Sequence, residues 1–221
     1  MKTPETTKAA ANTWGAGVLS AEAEARFVEG VAYCERFFMG EAEAQNALYK
    51  LTGILESEGI PYAVIGGLAL NEYGHRRATV DVDLILRGED LRRFKEKYLG
   101  RGYAERVAGT GKLVDTEFDV RVDVRSSGRF PGDGKPKPIA FPDPATTAVR
   151  GSHFAVLPLP RFVELKLASG MSAPHRLHDL ADVLDLVRSA RLPRDLADRL
   201  HPWVRDKFRE LWTAAQGEDP D

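Results

Sequence analysis

Tyr62-Ala-Val-Ile-Gly66-Gly67-Leu-Ala-Leu, followed after thirteen intervening residues from its second glycine by Asp81-Val-Asp83, is the stretch on which the fold of this 221-residue chain depends. An apolar run suited to a strand passes through two glycines into a segment suited to a short helix, ending near Tyr73-Gly74. Glycine allows backbone to approach a ligand closely. A helix opening at Leu68 would aim free N–H groups and the positive end of its dipole at an anion. Gly66 and Gly67 therefore read as a phosphate-sized turn.

Thr79-Val-Asp81-Val-Asp83-Leu-Ile-Leu86 reads as a strand whose two-residue period sets Asp81 and Asp83 on one face and Val80, Val82 and Leu84 on the other. Adjacent carboxylates repel unless a cation joins them. Oxygen ligands on rigid backbone, completed by substrate phosphates, suit Mg²⁺. A third ligand is expected from Phe118-Asp-Val-Arg-Val-Asp-Val124, where strict alternation turns Phe118, Val120, Val122 and Val124 to a core and Asp119, Arg121 and Asp123 to the opposite face. Asp123 ranks first as that ligand and Asp119 second, because Asp119 is placed to pair with Arg121. Arg77, between the glycine helix and the Asp81 strand, is expected to touch phosphate or to clamp Asp81.

These residues carry a family resemblance. Gly66-Gly67, Arg77-Ala-Thr79, Asp81-Val-Asp83-Leu84 and Val122-Asp123-Val124 resemble the nucleotidyltransferase superfamily that includes DNA polymerase beta and antibiotic-modifying enzymes. The segments Arg129 to Pro138, Glu164-Leu-Lys166-Leu-Ala-Ser-Gly and His178-Asp179-Leu-Ala-Asp182-Val are similar to its small bacterial branch of abortive-infection and toxin–antitoxin enzymes. The resemblance spans residues 60–188. It implies a nucleoside triphosphate substrate and Mg²⁺ (or Mn²⁺) on Asp81, Asp83 and Asp123. It also implies a nucleotide pocket formed by Gly66, Gly67, Arg77, Thr79, Lys166 and Asp179 or Asp182. The acceptor it implies is tRNA or protein, with a cognate antitoxin as partner. An enzyme that modifies an aminoglycoside or lincosamide is the rival reading, and a non-catalytic binding module of the same fold is a third.

The order of helical and strand patterns, with the resemblance, implies an α+β protein: a small mixed β-sheet core flanked by helices, with a C-terminal helical subdomain. A chain with 43% apolar residues can bury a substantial core. The expected organisation is an arm over 1–20, N-terminal helices and core over 21–158, the helical subdomain over 159–216 and a tail over 217–221. Net charge of −2 provides no global attraction to nucleic acid. The single cysteine, Cys34, leaves no internal disulfide, so a cytoplasmic location is expected. No apolar run is long enough to span a bilayer, and the first residues lack the order of a signal peptide.

Helical patterns run over 21–36, with Phe27, Val31 and Cys34 on one stripe, and over 41–58, with Ala47, Leu48, Leu51 and Leu55. A helix over 89–99 follows, then strands near 103–107, 112–114 and 117–124. Between Ser126 and Pro144, five prolines and three glycines predict a long loop. Its Lys135 and Lys137 are candidates to meet a triphosphate or a polyanionic acceptor. Helices are expected over 161–169, 174–190, 194–200 and 203–214, the second burying Leu177, Leu180, Ala181, Leu184 and Val187. His175 and His178 read as solvated helix surface, since a zinc site would lack a thiol partner.

Overall fold

The computed structural model describes residues 42–217. The arm, the helix expected over 21–36 and the tail beyond 217 lie outside the described residues. Helix α1 covers 42–57, and its expected stripe of Ala47, Leu48, Leu51 and Leu55 is fully buried. Gly59, at φ +62°, turns the chain out of this helix in the left-handed conformation that glycine adopts at little cost.

A seven-stranded mixed sheet follows, in the order β3-β4-β5-β2-β1-β7-β6. Its strands are β1 (Ala63–Ile65), β2 (Asp81–Leu86), β3 (Tyr103–Glu105), β4 (Lys112–Asp115), β5 (Val120–Ser126), β6 (Val149–Arg150) and β7 (Ala155–Val156). At its centre β2 runs antiparallel to β1 and parallel to β5. Along β2 the alternation holds at Asp81 to Leu84, and then Ile85 and Leu86 are both buried, so the strand leaves the cleft and enters the core. Helix α2 (Gly66–Glu72) follows β1 directly, and α3 (Gly88–Tyr98) follows β2, burying Leu91 and Phe94.

Two expected strand starts shift. Thr79 and Val80 precede β2 rather than belong to it. The strand expected from 117 begins at Val120, because Asp115 Oδ1 accepts hydrogen bonds from the N–H groups of Glu117 (2.9 Å) and Phe118 (3.3 Å). That side-chain cap folds 116–119 into a turn, with Asp119 at φ +53°. Strands β6 and β7, two residues each, carry too short a pattern to read.

After the short α4 (Pro144–Thr147), the helical half comprises α5 (Leu159–Ser172), a single 3₁₀ turn over Pro174–Arg176, α6 (Leu177–Ser189), α7 (Leu196–Arg199) and α8 (Pro202–Ala215). Helix α5 is buried without a break from Phe162 to Gly170, as befits a helix surrounded by others. Gly170 lets α6 lie against it, since a Cβ there would come within 2.5 Å of Leu180 Cγ. The face that α6 buries is not the one its apolar residues suggested. Leu177 is 62% exposed and Ala181 is exposed, while Asp179, Asp182, Val183, Leu186 and Val187 are buried. Two carboxylates displace leucines from the inner face because Lys166, on α5, neutralises them there.

Candidate active site

A cleft of about 320 Å³ opens between the sheet and the helical half. From the sheet side it is lined by Gly66, Gly67, Asp81, Asp83 and Arg125, and from the helices by Leu165, Lys166, Ser169, Arg176 and Asp179. Register brings the first group together. Asp83 lies directly opposite Asp123 on the parallel pair β2 and β5, and Asp81 opposite Arg121. Side chains alternate in step on paired strands, so Asp81, Asp83, Asp123 and Arg125 share one face.

The electrostatics of this face are unbalanced. Burial pushes the Asp83 carboxyl up to about 6, and the nearby charges of Asp81 and Asp123 add to the rise. Arg125 opposes it, with Nη2 at 3.3 Å from Asp123 Oδ2 and 3.9 Å from Asp83 Oδ1. Asp123 Oδ1 is buried and receives no hydrogen bond; the Arg106 guanidinium stands 3.8 Å away. Asp81 is steadied by Thr79, whose hydroxyl donates to its Oδ1 at 2.7 Å.

Both glycines are required by this packing. Gly66 sits at φ +71°, and a Cβ there would come within 2.9 Å of Asp83 Cβ and overlap its carboxylate. A Cβ on Gly67 would approach Thr79 Cβ to 2.8 Å. The turn is thus shaped to admit the side chains that line the cleft.

Hard oxygens on two adjacent strands, one of them an orphaned buried Oδ1, fit a divalent cation in donor chemistry. The carboxylates do not already form a closed cage, for among the described residues no three His, Cys, Asp or Glu side chains are grouped to hold a metal. Arg125 supplies a positive charge between them instead.

On the helical side, Lys166 Nζ donates to Asp179 Oδ1 at 2.8 Å and to Asp182 Oδ2 at 2.7 Å. Arg176 Nε donates to Asp179 Oδ2 at 2.8 Å, and Arg77 Nη1 donates to Asp182 Oδ1. Burial alone would raise the Asp179 carboxyl, but the Lys166 charge and hydrogen bond override it and hold the group below its usual value. Arg77 therefore grips Asp182 across the cleft and does not clamp Asp81.

The loop lysines stand elsewhere. Lys137 Nζ is tied to Pro131 O at 2.6 Å and Asp133 Oδ1 at 2.5 Å, and Lys135 is exposed; neither lines the cleft. The same loop reaches the cleft through Phe130, Pro131, Gly132 and Phe141. Gly132 docks it on α5, where a Cβ would meet Ser169 O at 2.7 Å. Asp119 lies in the turn before β5, and among the described residues it makes no ion pair with Arg121. His175 and His178 reach the cleft rim.

Among the cleft residues to which the sequence reading gave no role are Arg125, Arg176, Phe130 and Phe141. Arg125 was legible, since Arg121, Asp123 and Arg125 continue one alternating face. Arg176 was not, because its role depends on the 3₁₀ turn that aims it at Asp179.

Neither a family model nor any curated protein sequence matches the chain. Among solved structures, the crystal structure of ANT(2'')-Ia in complex with adenylyl-2''-tobramycin is similar at a TM-score of 0.45 and 13% identity, over 78% of this chain and 98% of that one. The solution structure of the antibiotic-resistance factor ANT(2'')-Ia gives a TM-score of 0.46 and 13% identity, over 79% and 93%. JHP933 from Helicobacter pylori gives 0.43 and 15%, over 80% and 91%. These are distant likenesses of chain path.

Proposed function

We propose that the protein is a metal-dependent nucleotidyltransferase, moving NMP from a nucleoside triphosphate to an acceptor hydroxyl with release of pyrophosphate. The observation that carries this reading is the in-register pair Asp83 and Asp123, with Asp81 on the same face, beside a glycine turn and opposite a cationic helical wall. Mg²⁺ or Mn²⁺ held by Asp81, Asp83 and Asp123 would polarise the phosphorus under attack and lower the pKa of the acceptor hydroxyl. Asp123 takes the hydroxyl proton as attack proceeds. Backbone N–H groups of Gly66 and Gly67 receive the terminal phosphates. Lys166, Arg77 and Arg176 carry three positive charges against the two of Asp179 and Asp182, and the surplus offsets charge on departing pyrophosphate.

For the acceptor, Arg77, Lys166 and Arg176 leave one positive charge over Asp179 and Asp182 on the helical wall, which supports an anionic acceptor such as tRNA. A toxin acting on tRNA or protein and restrained by a cognate antitoxin is the reading adopted. The apolar wall of Phe130, Pro131 and Phe141 favours a second reading, an antibiotic acceptor, of the lincosamide kind rather than a polycationic aminoglycoside.

The test is incubation with each labelled triphosphate, Mg²⁺ and cell lysate, with and without drug. Label in RNA or protein supports the first reading, and label in the drug the second. Asp83→Asn and Asp123→Asn are each expected to lower transfer by about three orders of magnitude or more, the several kcal/mol that charge stabilisation by metal supplies. Transfer by either variant at the wild-type rate would overturn the assignment, and absence of pyrophosphate release with every triphosphate would point to a binding module.

A further inference from the structure

The cation that the carboxylates hold in this structure is part of the chain itself. Arg125 follows Asp123 by two residues on β5, so both project to the same face. Its Nη2 donates to Asp123 Oδ2 at 3.3 Å and lies 3.9 Å from Asp83 Oδ1, which places one guanidinium between two of the three metal-ligand candidates. It also lines the cleft, whereas Asp123 does not, so a group entering the cleft meets Arg125 before Asp123. The hold is partial: the Arg125 side chain is 38% exposed, its bond to Asp123 is single rather than bidentate, and Asp123 Oδ1 receives no hydrogen bond. Part-exposed single-point ion pairs are weak and exchangeable.

We infer that Arg125 is a cation placeholder: it spans Asp83 and Asp123 before loading, yields both carboxylates to the divalent ion, and turns its guanidinium to the triphosphate. This rests on the nucleotidyltransferase reading and adds a competition between a side chain and a metal. Among the described residues, Arg125 and Arg106 are the cations within 4 Å of these three carboxylates, and without Arg125 the charges of Asp83 and Asp123 would repel each other. After displacement the guanidinium remains in the cleft, with a planar fork suited to phosphate oxygens. Arg125 is in this sense a positioning residue for the carboxylates and a contact for the nucleotide.

The experiment measures Mn²⁺ binding to the full chain by calorimetry, without nucleotide, for the wild type, Arg125→Ala and Arg125→Gln. Removal of the competitor is expected to tighten Mn²⁺ binding roughly fivefold, the factor set by a part-exposed ion pair. The same variants are expected to bind a non-hydrolysable triphosphate more weakly in the presence of Mn²⁺. Thermal melting adds a second readout: Mn²⁺ raises the melting temperature more in the variants than in the wild type, even where Arg125→Ala is less stable without metal. Mn²⁺ affinity and melting shift equal to wild type in both variants would overturn the placeholder and leave the metal site standing. Absence of Mn²⁺ binding in all three proteins would overturn the metal reading, and the placeholder with it.

Discussion

On the sheet side of the cleft, Asp81, Asp83 and Asp123 face two guanidiniums held at 3.3 Å or more, and one buried oxygen receives no hydrogen bond. On the helical side, Asp179 and Asp182 meet Lys166, Arg176 and Arg77 in hydrogen bonds from each cation. The first group is short of positive charge and the second has one to spare. Buried carboxylates persist where they are paired, so the helical cluster explains itself as structure, whereas the sheet cluster does not.

The contrast breaks or holds on stability measurements. The largest effect is expected for Lys166→Met, which leaves Asp179 and Asp182 buried with only the peripheral arginines and should cost about 3 to 5 kcal/mol in urea denaturation. A loss below about 1 kcal/mol would show that Arg77 and Arg176 suffice and that Lys166 is free to serve a ligand.

Asp83→Asn should act in the opposite direction in metal-free buffer. Burial and the neighbouring carboxylates push the folded Asp83 carboxyl up to about 6, from an ordinary aspartate near 3.8. Below about pH 4 the group is protonated in both states and contributes no difference. As pH rises towards 6 the unfolded chain loses its proton first, so folding is progressively disfavoured, and above 6 the penalty is complete. The substitution should therefore gain up to about 3 kcal/mol at pH 7.5 and nothing at pH 3.5. A gain independent of pH would remove the unbalanced-charge account of the sheet side. Saturating Mn²⁺ should abolish the gain by stabilising only the wild type.

A smaller loss is expected for Gly66→Ala, of about 1 to 2 kcal/mol for a side chain at positive φ, together with displacement of Asp83. Weakened Mn²⁺ affinity in that variant would separate the positional effect from strain alone, which leaves the affinity unchanged.

Much of the architecture was legible because it rests on local periodicity. The Asp81–Leu84 alternation, the α1 stripe and the long irregular segment before Pro144 can be read from neighbours in the chain. Errors arose where one side chain outbid the pattern. Asp115 caps a turn and removes three residues from the start of β5, and Lys166 draws two aspartates into the face of α6 that its leucines were expected to take. The candidate ligands were legible as types, since an Asp-x-Asp strand and a later Asp between valines carry their chemistry on their face. Their partners were not: Arg77 and Asp182 are 105 positions apart, and nothing local pairs them.

The sequence by itself determined the α+β class, the glycine turn and the alternation that puts Asp81 with Asp83 on one face of their strand and Asp123 opposite the valines of its own, because backbone period and glycine conformation are properties of adjacent residues. Only the tertiary structure decided that Asp83 stands opposite Asp123, that Arg125 lies between them, that Arg77 grips Asp182 and that the loop meets the cleft with phenylalanines rather than lysines. Those outcomes depend on strand register and on the balance of charge among distant groups once water is excluded, and neither is encoded within a window of the chain.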